Sequence, residues 1–165
     1  MTCIVGIVQD GKMWMGADTC VSFGDYYMNS EEPKVFINKD IICGVAGPVI
    51  VRQELQYNID LQFVLPDIKA HILTKILPSL KKVDDKDEAE LLIGYKGKLY
   101  ETNKGVLLCS STKNYASVGA GYAYALGCLY TTRDCKDPEH RILLALEAAE
   151  QFSSSVKGPF NVLCL

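Results

Sequence analysis

The chain has 165 residues, about the length of one domain, and 48% of them are hydrophobic, enough to bury a core and to exclude a disordered chain. Lys and Arg total 17 against 20 Asp and Glu, for a net charge of −3, which argues against a nucleic-acid binder working through a broad basic face. No uncharged apolar run approaches the roughly 20 residues of a membrane span, and the start has neither the positive region nor the cleavage site of a signal peptide, so a cytoplasmic protein is expected. The seven cysteines include no Cys-x-x-Cys, and only His71 and His140 could join them at a metal. Buried free thiols are expected, with no metal and no cofactor.

In chain order, Cys3 to Val8 reads as a short apolar strand, Gln9-Asp10-Gly11-Lys12 as a hairpin turn, and Met13 to Asp18 as the returning strand. Val35 to Ile37 and Ile41 to Ala46 form a second pair across Asn38-Lys39-Asp40. Gly47-Pro48 ends this meander, with Pro48 suited to a first helical turn. Ile50, Val51, Leu55, Ile59 and Phe63 follow at helical spacing. Leu65-Pro66-Asp67 breaks that helix, and a second carries Ile68, Ile72, Ile76, Leu80 and Val83 on one stripe with a kink at Pro78. Lys81 to Glu90 reads as a solvated loop. Four short strands come next, Leu91 to Gly94, Lys98 to Glu101, Val106 to Cys109 and Tyr115 to Val118, with turns at Lys96-Gly97 and Lys104-Gly105. Gly119-Ala120-Gly121 opens a third helix running through Thr131. Asp137-Pro138 caps a fourth whose Ile142, Leu143, Leu146 and Ala149 face one way, and Phe160 to Leu165 is a last strand. This order suits an α+β fold, a four-layer αββα sandwich of two antiparallel sheets flanked by helix pairs, as one domain over 1–165.

The usual nucleophile and phosphate-binding signatures are absent: no Gly-x-Ser-x-Gly, no Walker motif, no Gly-x-Gly-x-x-Gly after a strand. The N-terminus remains. With Met1 removed, which a small second residue permits, Thr2 carries a hydroxyl and a free α-amine together. An α-amine has a pKa of about 8 and can take the hydroxyl proton near neutral pH. Many chains begin Met-Thr, and the ordered set that follows is what distinguishes this one: Thr2-x-Ile4-Val5-Gly6, Gly16-Ala17-Asp18-Thr19, Glu32-Pro33-Lys34-Val35-Phe36, Gly44-Val45-Ala46-Gly47 and Val118-Gly119-x-Gly121.

On these motifs, over essentially its whole length, the sequence resembles the proteasome β-subunit family and its bacterial relative, the HslV-type peptidase, which are N-terminal nucleophile hydrolases. The Glu147-Ala148-Ala149 helix and the Ser-rich loop after it fit the same pattern. The resemblance implies Thr2 as nucleophile with its amine as base. Lys34 would stabilise the developing alkoxide, Asp18 would hold Lys34 charged, and the Gly47 N–H would be the oxyanion donor. Val21 and Val45 would line the pocket for the substrate residue before the scissile bond, and their modest apolar lining suggests a neutral side chain there. It further implies a polypeptide substrate, homo-oligomeric rings stacked in pairs with the sites inside, an ATPase unfoldase as feeder, and no nucleic-acid or membrane partner. The sequence departs from the family where hydroxyl and carboxylate groups assist the amine: Ala120 replaces a serine, and Ser153 and Val156 stand where an aspartate and a second serine are found, with Ser154 or Ser155 able to shift into place. These departures motivate an alternative, a weak or inactive ring component with a structural or regulatory role. A small-molecule amidohydrolase on the same fold is a further option.

Overall fold

The computed structural model describes residues 2–23, 25–61, 67–86, 88–103 and 105–165, with the backbone alone at 23 and 107–110. Met1, Phe63, Leu65, Pro66 and Lys104 of the sequence expectations lie outside the described residues, as does the side chain of Cys109.

Among the described residues, eleven strands and a set of helical segments follow the expected order. The first hairpin joins β1 (Cys3–Gln9) to β2 (Lys12–Asp18), and Asp10 and Gly11 both take positive φ (52° and 75°), as a tight two-residue turn requires. β1 lies inside a four-stranded antiparallel sheet with the order β10 (Tyr115–Gly119), β1, β2, β11 (Phe160–Cys164). A five-stranded sheet runs β5 (Val35–Asn38), β6 (Ile41–Ala46), β7 (Glu90–Tyr95), β8 (Lys98–Asn103), β9 (Val106–Ser110). A separate hairpin, β3 (Cys20–Phe23) with β4 (Tyr26–Asn29), was not foreseen from the sequence; every residue of β4 is exposed. None of its described side chains belongs to a core cluster, which is why no alternating apolar pattern marked it.

The period of two in each strand sorts the core into three sheets of side chains. Ile4, Met13, Met15 and Ala17 meet Val35, Ile42 and Leu92 between the two β-sheets. Cys3, Val5 and Ile7 point the other way, onto α4 (Tyr122–Thr131) and α5 (Pro138–Phe152). Cys43, Val45, Leu91 and Ile93 point outward from the second sheet, under the remaining helices. The architecture is the expected αββα sandwich of antiparallel sheets.

The outer helices of the second sheet are less regular than expected. α1 (Val49–Gln53) widens into a π turn over Glu54–Asn58, closed by Ile59 N–H donating to Glu54 O at 2.9 Å. Pro48 caps this helix from outside, with ψ of 137°, rather than occupying its first turn, and Ile50 is exposed. α2 (Ile68–His71), capped by Asp67, passes through a second π turn (Ile72–Ile76) into α3 (Leu77–Leu80). Pro78 is thus accommodated by a widened turn just before it. In α5, Asp137 accepts from His140 N–H at 3.0 Å, and Ile142, Ala145, Leu146 and Ala149 are buried while Leu143 is only half-buried. The thiols also depart from uniform burial: Cys3 and Cys43 are buried, Cys20, Cys128 and Cys135 half-buried, and Cys164 exposed at the end of an edge strand. No helix among the described residues is long and apolar enough to cross a membrane.

Ile142 is completely buried between α5 and the first sheet, so Ile142→Ala is expected to lower the unfolding free energy by about 2–5 kcal/mol in chemical denaturation.

Candidate active site

Four chain segments converge on Thr2. The residue sits just before β1, is 4% exposed, and its hydroxyl oxygen accepts a hydrogen bond from Lys34 Nζ at 2.8 Å. Lys34 precedes β5, and its carbonyl accepts from Val45 N–H at 3.1 Å, so the sheet ladder continues through it and fixes its backbone. Its ammonium also donates to Asp18 Oδ2 at 2.8 Å and to the Cys20 carbonyl at 2.5 Å. Three N–H groups thereby meet three acceptors. Asp18, 1% exposed at the end of β2, uses its other oxygen to accept from Cys3 N–H at 3.0 Å. One carboxylate therefore holds both the lysine and the residue after Thr2.

Burial pushes the Lys34 pKa below the ordinary lysine value, with the Asp18 charge and hydrogen bond opposing that shift and the Arg52 charge adding to it. Burial also pushes the neighbouring Cys3 thiol up to about 12, so no thiolate competes with the hydroxyl at Thr2.

Two glycines close the surroundings by needing no side chain. Gly119, at φ of 90°, lies where a Cβ would collide with the Thr2 carbonyl oxygen. Gly47, at φ of 141°, approaches Ala89 so closely that a Cβ would stand 2.9 Å from its Cα.

Two clefts open beside Thr2. The first, of about 320 Å³, has Val21, Ser22, Val45, Val49 and Arg52 on its walls; the second, of about 350 Å³, has Ala46, Glu88, Glu90, Gly119 and Ala120. Thr2, Gly47 and Pro48 border both, so the hydroxyl stands between them. The residues singled out by sequence, Thr2, Asp18, Lys34, Gly47, Val21 and Val45, are thus assembled at one place, with Asp18 behind Lys34.

The sequence reading missed two charged groups. Arg52 lies one turn after Val49 on α1, a spacing that puts both on the cleft face. It is 4% exposed and donates to the Glu32 carboxylate at 2.6 Å and the Glu32 carbonyl at 3.3 Å. Glu90, opposite Ala46 across β6 and β7, accepts from Gly119 N–H at 2.7 Å and from Asn103 Nδ2 at 3.2 Å. Nothing local in the sequence marks Glu90, because its partner is on a distant strand. At the positions expected to assist the amine, the Ser153 hydroxyl accepts from Ser155 N–H at 3.3 Å, and Val156 is buried under α5.

Neither a family model nor a curated sequence matches the chain. Solved structures do. BPH from Thiobacillus denitrificans in complex with epoxomicin superposes with a TM-score of 0.79 at 16% identity, covering 99% of this chain and 98% of that one. HslV from Trypanosoma brucei gives 0.73 at 18% identity, covering 99% of each chain. Anbu from Pseudomonas aeruginosa, described as a helical assembly, gives 0.73 at 13% identity, covering 99% of this chain and 81% of that one. The chain therefore shares the αββα sandwich fold of these BPH, HslV and Anbu structures.

Lys34 is expected to titrate below the ordinary lysine value of about 10.4, and Asp18→Asn to lower it further, because the carboxylate's charge favours the ammonium; NMR titration of the lysine side chains checks both.

Proposed function

We propose that the protein is a threonine-type peptidase subunit, a single proteasome-like domain cleaving unfolded polypeptides with Thr2 after removal of Met1. The observation that carries this reading is the Lys34 ammonium 2.8 Å from the Thr2 hydroxyl oxygen while tied to a buried carboxylate. The freed α-amine takes the hydroxyl proton, and the oxygen attacks the peptide carbonyl carbon. Lys34 stabilises charge on the attacking oxygen, and Gly47 N–H stabilises charge on the carbonyl oxygen. Collapse breaks the C–N bond, and the N-terminal ammonium returns its proton to the departing amine. Water then attacks the threonyl ester with the amine again accepting a proton, which releases the new carboxyl terminus and restores Thr2.

Assembly into rings, stacked in pairs and fed by an ATPase, belongs to the same proposal. Tyr122, Tyr124 and Tyr130 of α4 and Phe152 of α5 stay exposed, and Tyr124 and Phe152 lie 5.6 Å apart, an apolar surface suited to a subunit contact. A cytoplasmic setting accords with the free thiols of the described cysteines. The second reading, an inactive ring component, is favoured by Ala120 in the second cleft and by the burial of Val156.

Intact mass after expression and incubation with epoxomicin, the compound bound by the BPH of similar fold, separates the two. Loss of Met1 with one adduct, abolished by Thr2→Ala, is expected. Lys34→Ala should reduce kcat/KM on a peptide substrate by about 10²–10³-fold. A chain that begins at Thr2 yet forms no adduct supports the inactive reading.

A further inference from the structure

The charged side chains lining the two clefts beside Thr2 are of opposite sign, although both cations of the first are paired from behind, Lys34 with Asp18 and Arg52 with Glu32. The first is bordered by Lys34 and Arg52, with no carboxylate among its described lining residues. The second is bordered by Glu88 and Glu90, with no cation among its described lining residues. We infer that the substrate groove is electrically divided at the nucleophile and selects peptide bonds with an acidic residue before the bond and a basic residue after it. This rests on the threonine-peptidase reading, in which the cleft of Val21 and Val45 receives the residue before the bond, and it replaces the neutral side chain expected there from apolar lining alone.

On the first side the argument is the incomplete satisfaction of Arg52. Its side chain is 5% exposed and its partner Glu32 is 52% exposed. Nε, buried, has no hydrogen-bond partner among the described residues. A buried guanidinium with spare donors favours an additional acceptor, and a carboxylate is the strongest available. Glu32 is half in water, so its carboxylate can move aside for an incoming one at little cost.

On the second side Glu90 is fixed by Gly119 N–H and Asn103, and Glu88 is exposed, its backbone N–H donating to Asp84 Oδ1 at 3.1 Å. A hydrogen-bonded carboxylate and an exposed one beside it form an anionic wall where the departing fragment leaves. That fragment carries a new α-amine with a pKa of about 8, protonated at neutral pH, so the wall favours its charge as well as a basic side chain.

The test uses the full chain after Met1 removal and internally quenched peptides of common flanks with Glu-Lys, Leu-Ala or Lys-Glu at the central bond, the cleaved bond being located by mass. Glu-Lys should exceed Lys-Glu in kcat/KM by tenfold or more, with Leu-Ala between them, and added salt should narrow the gap. Glu88→Gln, at an exposed position, should reduce the preference for Lys over Ala after the bond by several-fold without moving the thermal midpoint. Glu32→Gln should raise the preference for Glu over Leu before the bond. Equal rates for the three peptides, or faster cleavage of Lys-Glu, on protein that epoxomicin still labels at Thr2, overturn the inference and leave the catalytic reading standing. Absence of both cleavage and labelling overturns both.

Discussion

A buried lysine is the constraint around which this molecule is arranged. An ammonium removed from water must be paired and its donors filled, or it sheds its proton. Lys34 meets that requirement with three oxygens from three separate places: the hydroxyl before β1, the carboxylate ending β2 and the carbonyl beginning β3. Each is useful only if the strand bearing it is correctly registered. The cation thus fastens the first sheet, the small hairpin and the second sheet to one another at a single point, and the same point is where the hydroxyl lies. Stability of the junction and readiness of the hydroxyl come from one set of bonds.

The sandwich explains how so short a chain supports this. Strands in the middle of the molecule are covered on both faces, so β1 and β6 are buried along nearly their whole length. The charged cluster sits at one end of these rigid strands rather than on long loops, which fixes its geometry.

The same layering governs what could be read from sequence. Asp10-Gly11 marked a hairpin because positive φ is demanded locally. The β5–β6 pair and α5 were legible from apolar spacing, because each has a core face. The β3–β4 hairpin was not, since it lacks one, and the π turns were not, since a widened turn preserves an approximate helical stripe. In the site, the order of Thr2, Asp18, Lys34 and Gly47 was informative as a set, although no member is distinctive alone. Arg52 was hidden behind its own burial: an arginine on a helix reads as a solvated charge until the structure shows Val49 and Arg52 on the cleft side. Glu90 needed the strand pairing that brings it to Gly119.

The hydrogen bond from Cys3 N–H to Asp18 has a further meaning. The bonds that organise this corner engage the side chain of Thr2 and the amide of the residue after it. None of those bonds uses Thr2's own nitrogen. Conversion of that nitrogen from a peptide amide to a free amine therefore leaves them in place. In the peptidase proposed above, the processed and unprocessed chains would share these bonds and differ at this corner by one covalent bond.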